Sequence, residues 1–258
     1  MNNENMDNKE IYNSVYSVHN VKRSNADPYA VGARGVRHEI VSKYCKGKDA
    51  LDVGCAIGHF LLPHVEECKS AIGLDYSKQY LDYFKQRIRD NHPRNLTLLE
   101  GDAKDMPIDS ESIDFAFSYA TLYCIPKVEE VIAELGRVLR KDGVVALEFG
   151  NKRSFNTLIT NYRTEHENWV VSHNRSMDEI YCAMKEAGFE VLETRRFQLF
   201  PLLTVPRKLL WMRPLSGNLL RPLLGIKLKG GRILDEVVSG APLLRKFAFS
   251  NIIIARKI

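Results

Sequence analysis

The stretch Ala50-Leu51-Asp52-Val53-Gly54-Cys55-Ala56-Ile57-Gly58 decides the reading of this chain, together with Ser70-Ala71-Ile72-Gly73-Leu74-Asp75, which ends on an acid seventeen residues after Gly58. Each is a short apolar run that stops at a polar or glycine-bearing turn, the mark of a strand leading into a loop. Gly54 and Gly58 have no Cβ, so the first turn can be tight and its backbone can approach a ligand.

Working outward, Lys48 to Phe149 alternates short apolar runs with helical stretches, as in a parallel sheet covered by helices on both faces. A helix of about ten residues is expected to open near Gly58. Ser77 is the expected N-cap of the next helix, which runs through Tyr80, Leu81, Phe84 and Ile88. Leu96–Leu99 and Ile113–Phe117 read as the third and fourth strands. Pro126 fits the first turn of a helix closed by Lys141-Asp142-Gly143, and Val144–Phe149 reads as the fifth strand. Met177–Ala187 then reads as a helix stopped by Gly188, with Phe189–Phe197 and Phe247–Ala255 as the last two strands.

The expected organisation is an N-terminal lid over 1–47, a core over 48–150, and a segment over 151–258 that completes the sheet. Insertions at about 151–175 and 199–245 are expected to form a substrate cap, since long connections inside a compact domain usually carry function.

Composition sets outer bounds. The chain of 258 residues is long enough for a substantial core, with 45% hydrophobic and 27% charged residues. No apolar run is long enough to span a membrane, and Met1–Glu10 has neither the basic start nor the apolar centre of a secretory signal, so the expected location is cytoplasmic. Five cysteines without a C-x-x-C pair indicate neither a disulfide framework nor a zinc site, and no metal is expected. From Arg195 to Ile258 there are thirteen Lys or Arg against two acids, a local charge of +11 in a chain of +5 overall. A solvated face, compensation for the acidic core, a phosphate-bearing substrate and an anionic membrane surface all fit that imbalance.

Four motifs in order, Leu51–Gly58, Gly73-Leu74-Asp75-Tyr76-Ser77, Gly101-Asp102-Ala103 before Met106-Pro107, and Arg137–Gly143, give the chain a resemblance to the class I methyltransferase family over about residues 30–150. The resemblance implies a mostly parallel seven-stranded sheet with an antiparallel last strand, and S-adenosylmethionine as cofactor. It implies that Asp52, Gly54, Cys55, Ala56 and Gly58 form the cofactor loop, with the glycines against the methionine part. Asp75 would hold the ribose, Asp102 the adenine amino group, and Ala103 would offer adenine a backbone contact. Tyr76 or Met106 would cover the ring and Ser118 would lie beside the methionine amine. Most relatives have glycine where this chain has Ala56, a departure tolerable if φ is negative there. A nicotinamide site would need G-x-G-x-x-G, and that spacing is absent.

Methyl transfer asks mainly for alignment and exclusion of water, with a general base where the acceptor is a hydroxyl. The candidate bases are His166, His173, Tyr119 and Tyr123, with His59 and Glu148 as further candidates. The expected acceptor is a small hydrophobic molecule methylated at O or N. Alternatives are a lipid, quinone or lipid-linked sugar at a membrane surface, RNA or protein, and a scaffold without turnover. No nucleic-acid-binding module is visible. The oligomeric state has no sequence signal.

Overall fold

The computed structural model describes residues 28–166, 171–201, 206–209 and 220–258. Residues 1–27 of the expected lid and residues 167–170, 202–205 and 210–219 of the expected insertions fall outside the described residues. The elements in order are α1 (Pro28–Cys45), β1 (Asp49–Val53), a 3₁₀ helix (Leu62–Glu67), β2 (Ser70–Asp75), α2 (Lys78–Arg87), β3 (Leu96–Glu100) and β4 (Ile113–Ser118). A short 3₁₀ turn (Leu122–Cys124), α3 (Val128–Val138), β5 (Leu139–Gly150), α4 (Phe155–His166), α5 (Met177–Glu186) and β6 (Phe189–Phe197) follow. The chain ends with α6 (Arg221–Leu224), α7 (Leu234–Ser239), a 3₁₀ helix (Arg245–Phe247) and β7 (Ser250–Lys257).

The seven strands form one sheet in the order β3-β2-β1-β4-β5-β7-β6, with β1 to β5 parallel. Hydrogen bonds from Phe249 to Gln198 and from Ile258 to Gly188 show β7 running antiparallel to β6. β1 is buried at all five positions, so Ala50 and Leu51 stand side by side with no solvent face between them. The chain winds outward from β1 through β2 and β3, then returns to place β4 on β1's other side. Ligands bind at such a reversal, outside the carboxyl ends of the strands.

By internal packing the chain divides into two compact units. The first takes the described residues of 1–36, 149–176 and 195–252, and the second residues 37–148, 177–194 and 253–258. The second unit has an apolar core that includes Leu51, Leu74, Phe84, Phe115, Phe117 and Leu135. In α3, one face buries Val128, Val131, Ile132, Leu135 and Val138, each worth roughly 1.5–3 kcal/mol. The first unit relies more on buried polar bonds. Asp235 accepts from the Tyr29 hydroxyl at 2.8 Å, the Gln198 N–H at 2.7 Å and Ser239 at 2.9 Å, while Arg195 forks onto Glu236 at 2.8 and 2.7 Å.

Several boundaries differ from expectation. Gly58 is followed by turns, and the helical segment there is the 3₁₀ helix from Leu62, because Pro63 enters at its start. Pro126 lies outside α3; Lys127, left-handed at φ 55°, separates the two. Lys141-Asp142-Gly143 closes no helix: β5 already begins at Leu139, and Asp142, at φ 62°, sits in a bulge between the pairs Ile113–Leu139 and Phe115–Val144. The last strand starts at Ser250, the residues before it being coiled into the 3₁₀ helix.

The amino ends of β1 and β4 are tied by charge. Asp49 accepts from Lys69, Ser70 and Arg140 at 2.8, 2.7 and 2.9 Å, and Arg140 also reaches Asp114 at 2.8 Å. Burial pushes the Asp49 carboxyl up, but these hydrogen bonds outweigh it and hold it at about 2. A depressed carboxylate stabilises the fold above the ordinary aspartate value of about 4 and loses that contribution as pH falls towards 2. Arg140→Gln should therefore lower stability at neutrality, with the difference from the parent protein shrinking as pH falls towards 2, in denaturant unfolding followed by circular dichroism at a series of pH values.

Candidate cofactor-binding and active site

At the carboxyl ends of β1 and β4 two loops share one construction. The β1 loop turns at Gly54 (φ 76°), Ala56 (φ 44°) and Gly58 (φ 77°). The Ala56 N–H donates to Asp75 Oδ2 at 2.8 Å, and the other oxygen of that carboxylate takes the Ser77 N–H at 2.8 Å. The β4 loop turns at Ala120 (φ 58°), whose N–H donates to Glu148 Oε2 at 3.2 Å. In each case an alanine is left-handed and a carboxylate from the neighbouring strand holds its N–H. Left-handed alanine costs roughly 1–2 kcal/mol, and strain of this kind gathers at functional sites.

The expectation of a negative φ at Ala56 is thus overturned: the residue is left-handed where its N–H meets the Asp75 carboxylate. The two glycines also differ from expectation in what fills their missing side chains. A Cβ on Gly54 would lie 2.3 Å from the Thr121 methyl, and one on Gly58 would lie 2.1 Å from the Phe84 ring. The space is taken by protein, so these glycines bring the loop onto β4's loop and α2. Arg87, at the end of α2, donates to the Ile57 carbonyl and braces the same turn.

The remaining sequence candidates are distributed as follows. Asp75 is buried, and burial raises its carboxyl despite the two backbone N–H bonds. Tyr76 beside it is about half exposed at 47%. Asp102 is partly exposed, taking the Lys104 N–H at 2.9 Å, and Ala103 is buried next to it. Met106 is buried, which leaves Tyr76 as the side chain able to cover a ring. Glu134 and Arg137 of α3 clamp this loop: the Met106 N–H reaches Glu134 at 3.0 Å, and Arg137 donates to the carbonyls of Met106 and Ile108 at 3.0 and 2.9 Å. Ser118 is fully buried with its hydroxyl donated to the Val53 carbonyl at 2.7 Å, so it ties β4 to β1 and keeps no proton for a ligand. The Cys55 thiol is buried and pushed up by burial, hence inert.

Asp52 is different. Its carboxyl is buried, and among the described residues it has no hydrogen-bond or ion-pair partner. Burial, then the negative charge of Asp75, pushes it well above the ordinary aspartate range. An unpaired buried carboxyl is costly unless a ligand completes it. A cationic ligand group is the complement, and the ammonium of S-adenosylmethionine supplies one. The donor set of Asp52, Asp75 and Asp102 therefore fits that cofactor.

The nominated bases fare unevenly. Tyr119 is buried among rings, 5.2 Å from Phe60 and 5.6 Å from Phe117, with the Arg37 guanidinium 5.8 Å over its face. Tyr123 is partly buried in the 3₁₀ turn after β4. Glu148, bound by Arg37 at 2.5 and 3.0 Å, has its charge matched and is spent on structure. His166 is exposed at the end of α4, where Nδ1 bonds the Tyr162 carbonyl at 2.9 Å and the ring stacks on Tyr162, so it serves its own helix. His173 is partly buried, lowered first by burial and then by Arg175, and its buried Nε2 has no partner among the described residues. Both histidines belong to the first unit. Among the described residues no group of three His, Cys, Asp or Glu side chains could hold a metal.

Residues 51–147 match the family profile described as a methyltransferase domain. Those residues are a class I, S-adenosylmethionine-dependent methyltransferase domain. The chain is 25% identical over 166 residues to a probable S-adenosylmethionine-dependent methyltransferase of Mycolicibacterium smegmatis, covering 61% of this chain and 60% of the relative. It is 34% identical over 106 residues to the demethylmenaquinone methyltransferase of Oceanobacillus iheyensis, covering 40% of this chain and 44% of the relative. The matches thus span less than two thirds of these relatives. Geranyl diphosphate C-methyltransferase from Streptomyces coelicolor has the same fold, with a TM-score of 0.58, 16% identity, and coverage of 88% of this chain and 78% of that one.

Sequence reading missed Thr121, Arg37 as the partner of Glu148, and the bracing by Glu134 and Arg137. Only the last had a signal, the Arg137 that opens the fourth motif. Two outcomes test the loop. Ala56→Gly should stabilise the protein by about 1 kcal/mol in denaturant unfolding by relieving the left-handed alanine. Gly58→Ala should cost about 2–4 kcal/mol, from the Phe84 clash and the positive φ. For Asp52, whose pKa is raised, the ligand-free fold is favoured below about pH 4 and loses that advantage as pH rises towards the folded value. Cofactor affinity should run the opposite way, rising with pH as the proton leaves. Calorimetric titration with S-adenosylhomocysteine should show that slope, and Asp52→Asn should weaken binding and flatten it.

Proposed function

We propose that the protein transfers a methyl group from S-adenosylmethionine to an oxygen or nitrogen of a small hydrophobic acceptor. The observation that carries this reading is the buried, unpartnered Asp52 carboxyl beneath a loop strapped down by Asp75. A scaffold without a ligand would have little reason to keep that uncompensated group. When bound, the cofactor supplies an activated methyl on a sulfonium. The chain's own contribution is to hold the loops rigid, keep water out and set the acceptor in line.

A second reading, a quinone or lipid acceptor, draws support from the similarity to a demethylmenaquinone methyltransferase and from the mixed apolar and basic stretch after residue 199.

Incubation with methyl-labelled cofactor and a fractionated cell extract tests both. Label in organic-soluble material is the expected result; label confined to RNA or protein would overturn the reading, as would cofactor binding without transfer to any fraction.

A further inference from the structure

Residues 220–247 hold the densest run of exposed apolar side chains on the described chain: Leu223 at 51% exposure, Ile226 at 47%, Leu228, Val237, and Leu243 at 83%. The local geometry explains the first part of the run. Lys227 and Ile233 face each other across an antiparallel bridge, closed by hydrogen bonds from Leu228 N–H to the Arg232 carbonyl at 2.7 Å and from Leu234 N–H to the Ile226 carbonyl at 3.0 Å. Gly230 and Gly231, both at positive φ, make the tip.

Directly opposed residues of an antiparallel pair point to one face, and their chain neighbours to the other. Ile233 is buried, so its face is the inner one. Ile226 and Leu228 therefore point outward, away from the protein's own core, and an apolar outer face is the reverse of what a solvated hairpin needs.

The charges around these side chains have one sign. The stretch contains Arg221, Lys227, Lys229, Arg232, Arg245 and Lys246, while its two acids, Asp235 and Glu236, are buried and bonded inward, Glu236 to Arg195 and Asp235 to Tyr29, Gln198 and Ser239. Lys229 and Arg245 form no ion pair among the described residues. The outward surface is thus apolar and cationic with no exposed carboxylate.

We propose that this hairpin and the segment through Phe247 form a docking surface for an anionic lipid bilayer. Ile226, Leu228 and Leu243 would enter the interface while Lys229, Arg245 and Lys246 meet the headgroups. Among the described residues no helix is long and apolar enough to cross a membrane, so attachment of this kind would be peripheral. Shallow apolar insertion combined with basic side chains is the physical recipe for such binding. A nucleic-acid partner accounts for the cations but leaves three outward aliphatic side chains unexplained, and for that reason the bilayer is favoured.

The inference does not depend on the proposed methyl transfer, and its test is read without turnover. The full chain is sedimented with vesicles of phosphatidylcholine alone and of phosphatidylcholine with phosphatidylglycerol. Binding to the anionic vesicles, weak binding to the neutral ones and a loss with added salt are expected. Neutralising one cation, as in Lys229→Gln or Arg245→Gln, should reduce partitioning roughly fivefold. The pair Ile226→Ser and Leu228→Ser should abolish it with thermal unfolding and S-adenosylhomocysteine affinity unchanged. Absence of binding to anionic vesicles would overturn the proposal. So would binding that these variants leave intact, binding of single-stranded RNA lost in the same variants while vesicle binding persists, or a solution dimer that the serine variants dissociate.

Discussion

The capture of two backbone N–H groups by two buried carboxylates is the interaction on which the candidate site depends. Asp75 holds Ala56 and Glu148 holds Ala120, and each of these alanines is left-handed. Glu148 would be an unmatched buried charge without Arg37, so a residue of α1 completes the β4 loop. Asp75 has no such cation among the described residues; burial raises its carboxyl, and its two backbone donors pull the other way. The loops at adjacent strand ends are therefore rigid before any ligand arrives, which is what a site that must align a methyl group requires.

The second unit treats its two strand ends in opposite ways. At the amino ends of β1 and β4, Asp49, Asp114, Lys69 and Arg140 satisfy one another, and Asp49 and Arg140 pair on the wall of a cleft of about 380 Å³. At the carboxyl ends, Asp52 is left buried and unpaired. A fold that pairs its carboxylates at one end and leaves one bare at the other has kept an electrostatic opening for a cation. The same contrast explains why Asp49 is shifted down and Asp52 up, although they stand three residues apart on one strand.

Much of the fold was legible in the chain because the signals were local. β2 and β6 fell on their expected residues, since each is an apolar or alternating run bounded by turn residues. Ser77 caps α2 as expected, its hydroxyl taking the Tyr80 N–H, and Gly188 stands at φ 80° just after α5. The failures came where one local signal competed with another. Pro126 suits a helix start, yet the left-handed Lys127 intervenes; Asp142-Gly143 resembles a helix stop but forms a bulge within β5.

The sequence by itself determined which residues gather at the strand ends, since strand periodicity and glycine placement follow from steric rules acting over a few residues. It could not determine which polar groups there are already spent. Ser118 turns inward to Val53 sixty-five residues away, Glu148 meets Arg37 at a separation of 111, and the empty sides of Gly54 and Gly58 are filled by Thr121 and Phe84. Those pairings are set by packing between distant segments. Only the tertiary structure decided which of these groups already have partners, and Asp52 has none among the described residues.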